Sequence, residues 1–203
     1  MTTFDALSAE KLRAELDAAI IGREIIVLPE ITSSNDFVFE RTNETTPEGL
    51  VVFAERQTAA RGQRTNAWEA AAGMGLWFSF LLRPKIDIGE SPRLAEWAAC
   101  TIAETISKTL ALPATLKLPN DVIVAGKKVA GVLVEMRAQK NSPHTAIVGV
   151  GVNVNHRLED FSEGVRDRAI SLAIAHGRQV DRHQLAVTLL RNFDQSYRQI
   201  FLA

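Results

Sequence analysis

The distribution of apolar and polar positions predicts a succession of short elements. From about Ser8 to Ile20, Leu12, Leu16, Ala19 and Ile20 fall on one side of a short amphipathic helix. Compact β-branched runs at 24–28 (EIIVL) and 50–54 (LVVFA) predict buried strands. Between them there is room for a helix over 33–40, then a turn at Pro47-Glu48-Gly49. Residues 76–82 (LWFSFLL) predict another strand, ended by Arg83-Pro84. Leu94, Trp97, Ala98, Thr101, Ile102 and Ile106 recur every three or four residues, the period of a half-buried helix. Ser91 supplies its cap and Pro92 its first-turn proline. The runs 122–124 and 129–136, separated by Ala125-Gly126, read as a hairpin, and 145–154 is the longest strand candidate. A last helix begins near Asp181, with Gln184 placed for a capping-box bond, and runs through Leu185, Leu189, Phe193 and Tyr197.

Strands come in adjacent groups, while helices fall at the start, middle and end. That order predicts an α+β fold, a mixed sheet with helices on one face, rather than regular βαβ alternation. With no repeat and no linker, residues 1–203 read as one domain. Hydrophobic residues at 46% and charged residues at 23% exclude disorder as the dominant state. Lys plus Arg total 23 against 24 Asp plus Glu, which argues against a nucleic-acid coat or a polybasic membrane binder. Cys100 is the single cysteine and excludes a disulfide framework; on the Trp97 helix face it reads as a small buried hydrophobe. The N-terminus has early acids and no apolar run, so it is no secretory signal. No stretch reaches the roughly 18 apolar residues of a membrane span. A cytoplasmic protein is the expectation.

Three segments carry candidate chemistry. Residues 57–68 (QTAARGQRTNAW) hold Arg61 and Arg64 among small residues, a loop suited to a phosphate or carboxylate, or simply a solvated basic loop. In 116–136 (LKLPNDVIVAGKKVAGVLVEM), Pro119-Asn120-Asp121 makes a rigid turn. Lys127 and Lys128 then enter a strand beside small residues, where a lysine reaches a bound phosphate or else stands exposed. Strand alternation puts these two lysines on opposite faces. In 148–155 (VGVGVNVN), Gly149, Gly151 and Asn153 share a face, the mark of a bulge or of close approach by a ligand or another backbone. Trp68 and Trp77 either cover a ligand or fill core, and Trp97 reads as core. His144, His156, His176 and His183 show no ligand spacing, so no metal site is expected from side chains.

In this order the segments resemble the catalytic domain of biotin–protein ligases. The family's Gly-Arg-Gly-Arg-x-Gly-Arg-x-Trp loop is similar to Ala60-Arg61-Gly62-Gln63 onward to Trp68, and its Lys-Trp-Pro-Asn-Asp to Lys117-Leu118-Pro119-Asn120-Asp121. Its Lys-Leu-Ala-Gly-Ile-Leu-Val-Glu resembles 128–135, its Gly-Ile-Gly-Ile-Asn-Val-Asn resembles 149–155, and its Asp-Ser-Thr-Asn resembles Thr32-Ser33-Ser34-Asn35. The resemblance covers about 8–200. It implies a sheet related to class II synthetase catalytic domains, with Mg-ATP and biotin as ligands and a biotin carboxyl carrier protein as partner.

The implied reaction joins biotin to AMP and then transfers biotin to a carrier lysine. Lys128 would contact both the biotin carboxylate and the α-phosphate, with Arg61 and Arg64 as phosphate-side cations. Ser33, Ser34, Asn35 and Gln57 would line the biotin rings. Asn120 and Asp121 would face the nucleotide, its metal and the incoming amine. Gly131, Gly149 and Gly151 would let ligand lie on bare backbone, and Gly62, Gln63, Trp68, Lys117 and Asn153 complete the implied binding set. The chain departs from the family at Ala60, Gln63, Thr65 and Asn66, losing two cations and two glycines, and at Leu118, which stands for tryptophan. The resemblance predicts neither a winged-helix module nor a β-barrel within 1–203, hence no DNA partner, and it implies a homodimer. A divergent paralogue that binds without ligating, and a lipoate or octanoate transferase, are the alternative readings.

Overall fold

All seven β runs join one sheet, in the order β1–β2–β3–β7–β6–β5–β4. A computed structural model describes residues 6–63, 68–139 and 143–202. The strands are β1 (Glu24–Leu28), β2 (Leu50–Ala54), β3 (Gly75–Leu82), β4 (Ala114–Lys117), β5 (Asp121–Val124), β6 (Lys127–Arg137) and β7 (Thr145–Asn153). β1 and β2 are parallel and every other pairing is antiparallel. The helices are α1 (Ala9–Glu15), α2 (Ser34–Arg41), α3 (Ser91–Leu110), α4 (Glu163–Arg166), α5 (Leu172–His176) and α6 (Arg182–Phe201).

Helices cover both faces, where the sequence pattern suggested one. Leu76, Phe78, Phe80 and Leu82 of β3, with Val148, Val150 and Val152 of β7, meet α3, α6 and Leu12 of α1. The alternate residues Leu81 and Ile147, with Leu50 and Val52, meet Val38 of α2. Two covered faces explain why β2 and β3 read as unbroken apolar runs. α2 covers only one end of its face. Its first turn lays Asn35 on Gly149, and the end of the face beyond it, around Gly151, carries the site.

Several boundaries differ from the sequence expectation for local reasons. α1 stops at Glu15, because the Asp194 carboxylate of α6 accepts from the backbone amides of Ala19, Ile20 and Ile21 and draws that segment out of the helix. Ser91 is the first helical residue of α3 rather than its cap; reciprocal bonds between Asp87 and Glu90 close a short turn ahead of it. At α6, Asp181 accepts from the Gln184 amide as expected, but the Gln184 side chain donates to Glu15 at 3.0 Å, so the box stays open. β4 follows Pro113 as a four-residue edge strand too short to stand out as a pattern. Trp97 is buried at 6% exposure, whereas Cys100 is only partly buried. Partial burial raises its thiol pKa.

Candidate active site

One cavity on the α2 side of the sheet is built from four segments. The first turn of α2 supplies Ser33, Ser34 and Asn35, and the segment after β2 supplies Gln57, Arg61, Gly62 and Gln63. Gly131 of β6, Gly149 and Gly151 of β7, Lys128, Asn120 and Trp68 complete the lining. Ser33 caps α2, and this cap turns Ser34 and Asn35 down onto the sheet. There Ser34 Oγ lies 2.6 Å from Ser79 Oγ, and Ser79 donates to Asn35 Oδ1 at 2.6 Å. Asn35 Nδ2 donates to Glu135 at 2.6 Å, and the Ser34 amide donates to Gln57 Oε1 at 2.7 Å. All three of Ser34, Asn35 and Ser79 are buried, so the cavity floor is a closed polar network.

The glycines serve these side chains. A Cβ on Gly149 would stand 2.3 Å from Asn35 Oδ1, and one on Gly151 would stand 2.7 Å from the Trp68 ring. A Cβ on Gly131 would meet Trp68 at 2.9 Å and Lys128 at 3.0 Å. The bare backbone expected to face ligand is therefore covered by Asn35, Trp68 and Lys128.

Lys128 reaches this face through a β-bulge. Val122 pairs with Ala130 but Ile123 pairs with Lys128, which leaves Val129 as an extra residue on β6. Strict alternation from Gly131 would have chosen Lys127 and sent Lys128 into the core. Instead Val129 joins Ala130 and Val132 in the core and Lys128 turns up beside Gly131. Its backbone is fixed from the far side: the Lys128 amide donates to Arg168 O, and the Ile170 amide donates to Lys128 O, both at 2.9 Å. Its ammonium stands 2.6 Å from Asp121 Oδ1 and 4.9 Å from the Trp68 ring centroid.

A second, wider cavity adjoins the first. Its walls include Lys117, Asp121, Asn153, Phe161, Arg168 and Ala169, and Lys128 and Trp68 line both cavities. Trp68 Nε1 is buried and has no hydrogen-bond partner among the described residues. Trp77 is fully buried, with Nε1 donating to Ala71 O at 3.2 Å, so it is core. Arg61 is engaged rather than open: it donates to both oxygens of Asp36 at 2.5 and 2.7 Å and lies 3.3 Å from Glu135. These bonds hold the Asp36 carboxyl below its ordinary pKa.

The structure thus gathers the expected residues into two adjoining cavities, except that Arg64, Thr65 and Asn66 lie outside the described residues. Sequence reasoning missed Ser79, Glu135, Asp36 and Phe161. Ser79 had a signal, being the single polar residue in an apolar strand; Phe161 had none.

The family model described as biotin/lipoate A/B protein ligase matches residues 27–153. The chain belongs to this family. Within it, the biotin protein ligase of Aquifex aeolicus in complex with biotin and ATP superposes with a TM-score of 0.73 at 30% identity, over 88% of this chain and 73% of that one. The bifunctional ligase/repressor BirA of Bacillus subtilis is 34% identical over 192 residues, 95% of this chain and 59% of BirA. The biotin–[acetyl-CoA-carboxylase] ligase of Mycobacterium tuberculosis is 29% identical over 194 residues, 93% of this chain and 70% of that protein. The chain therefore carries a biotin–protein ligase catalytic fold and spans about three-fifths of the length of the BirA relatives it matches. No helix of the described residues is long and apolar enough to cross a membrane.

Proposed function

We propose that this chain adenylates biotin with ATP and transfers biotin to a lysine of a carboxylase carrier protein. The observation that carries the reading is Lys128 at the seam of two cavities, one floored by the Ser34–Asn35–Ser79 network, the other wider and lined by Lys117 and Arg168 together with Glu69, Asp121 and Asp167. Two anions brought from the two sides would meet at its ammonium. Ser34, Asn35, Gln57 and Ser79 floor the first cavity with hydroxyl and amide groups that bond one another and would exchange some of those bonds for a ligand's. A ureido ring, with N–H groups beside a carbonyl, matches that floor better than the apolar dithiolane of lipoate. The orphaned Trp68 Nε1 gives a ligand oxygen a buried donor at the seam.

In the first step a biotin carboxylate oxygen attacks the α-phosphorus and pyrophosphate leaves. Lys128 offsets the repulsion between the reactants and the charge that builds on phosphorus; Asp121 holds it in place. In the second step a carrier lysine amine attacks the acyl carbon, its proton is lost to a base and AMP leaves. Asp121, beside Lys128 in the second cavity, would accept that proton. No covalent enzyme intermediate is needed, so the work is positioning and charge stabilisation. Magnesium would enter with the nucleotide, held by its phosphates. The proposal extends to a homodimer, which sedimentation at micromolar concentration tests.

The deciding experiment is calorimetry with biotin and with lipoate, with and without Mg-ATP, followed by a pyrophosphate-release assay. Biotin binding with pyrophosphate release supports the ligase. Binding without release would leave a binding module, and preference for lipoate would overturn the biotin reading.

A further inference from the structure

The contact between Ser34 and Ser79 on the cavity floor joins two hydroxyls at 2.6 Å, and its geometry alone lets either one donate. The rest of the network fixes the direction. Its far end is Glu135, and an ionised carboxylate accepts hydrogen bonds but does not donate them. The Asn35 amide therefore turns Nδ2 to Glu135, at 2.6 Å, and presents Oδ1 to β3. Ser79 commits its one proton to that oxygen, also at 2.6 Å. Toward Ser34 it can then only accept, so the shared contact is made by the Ser34 proton.

We infer that Glu135, Asn35 and Ser79 form a one-way hydrogen-bond relay that makes the Ser34 hydroxyl an acceptor toward the cavity. All three are positioning residues, selecting a ligand that carries an N–H at that point. The relay rests on the proposed function for the identity of that ligand, and it deepens that reading. Gln57 has the opposite bias: its Oε1 is taken by the Ser34 amide at 2.7 Å, so Nε2 is what it offers to the cavity it lines. An acceptor beside a donor is the complement of an N–H beside a carbonyl. Burial makes the direction matter. Ser34, Asn35 and Ser79 are at most 4% exposed, so a wrongly turned partner is costly to leave unmatched. Gly149 belongs to the device, since a Cβ there would stand 2.3 Å from Asn35 Oδ1, where the relay passes from α2 to the sheet.

Glu135→Gln tests the relay without changing its shape. An amide at 135 donates as well as accepts, so the whole chain of bonds can reverse and release the Ser34 proton to the ligand. The probes are biotin and its two cyclic carbamate analogues, each with one ureido N–H replaced by a ring oxygen. In the wild type, the isomer lacking the N–H at Ser34 should bind roughly ten- to a hundredfold more weakly than biotin, because two acceptors then face each other. Glu135→Gln should shrink that ratio roughly tenfold, and Ser79→Ala, which removes the acceptor of the Ser34 proton, by a similar factor. A looser floor, or the altered Arg61 contact, weakens biotin and carbamate alike and leaves the ratio unchanged. An unchanged ratio in either variant would overturn the relay. A ligand-free readout separates this outcome from the fate of the ligase reading. In nuclear Overhauser spectra of the unliganded protein, the Asn35 side-chain amide protons should lie against the Glu135 γ-methylene and not against the Ser79 β-methylene. The reverse pattern refutes the relay whatever the protein binds. The expected pattern in a protein that bound no biotin would retire the ligase reading and leave the relay standing.

Discussion

Asp121 holds Lys128 at 2.6 Å although the residue opposite Asp121 in the strand ladder is Gly131. The bulge at Val129 makes both statements true, and it separates the two adjacent lysines in function. Lys128→Ala should lower adenylate formation by roughly 10²–10³, the worth of one preorganised charged donor. Lys127, whose Nζ reaches Arg166 O at 3.4 Å, should tolerate alanine with little change. Pyrophosphate release by the two variants decides between them, and equal losses would refute the placement of the bulge.

Gly149→Ala should damage the site more than Gly164→Ala. The added methyl at 149 meets Asn35 Oδ1 at 2.3 Å, whereas at 164 it meets nothing within 4 Å. Overpacking of this kind costs about 1–3 kcal/mol, and it falls on the network that holds Ser34 and Asn35. Urea midpoints and biotin affinity should both drop for the first variant and stay near wild type for the second.

His156 lends the fold a pH dependence. The ring stacks on Phe161 at 5.0 Å and meets Trp77 edge-on at 5.7 Å, and burial lowers its pKa from 6.5 to about 4. Asp160 and Glu69 oppose that shift without cancelling it. Between about 6.5 and 4 the unfolded chain binds the proton and the folded one does not, so stability falls as pH drops through that window. A shift of this size corresponds to about 3 kcal/mol. The difference in unfolding free energy between wild type and His156→Gln should shrink by that amount from pH 7 to pH 4. A difference flat with pH would refute it.

The loop's altered composition predicts a leak. The family resemblance places arginine where Gln63 stands, and glutamine retains hydrogen bonding without the full charge. A charge-assisted bond is about twice as strong as a neutral one, so adenylate retention should be weaker by roughly ten- to a thousandfold once Asn66 is counted too. Released adenylate would label exposed lysines of bystander proteins. Arg at 63 and 66, with Gly at 60 and 65, should restrict labelling to a carrier domain. Strict carrier labelling by the wild type would contradict this.

Much of the sheet was legible because its strands are β-branched runs ended by turn residues, and the segments of the site were legible as motifs. What the sequence hid were decisions made between elements. Nothing local signals that Val129 will be extra, since that depends on the partner strand's register. The short α1 was hidden for the same reason, its end being set by a carboxylate on α6. Glu135 closed a recognised motif yet gained meaning only when Asn35 and Arg61 arrived from distant segments to share it.

The grip of Asp194 on the amides of Ala19, Ile20 and Ile21 joins positions 173 to 175 residues apart. It dictates an order of events during synthesis. The turn leading into β1 leaves the ribosome early, with three donors that have no protein acceptor until nearly the whole chain has followed. The nascent domain therefore cannot seal its own beginning before its end is made. A chain terminated before α6 should persist as a protease-sensitive species, even though every residue of the two cavities has already been translated.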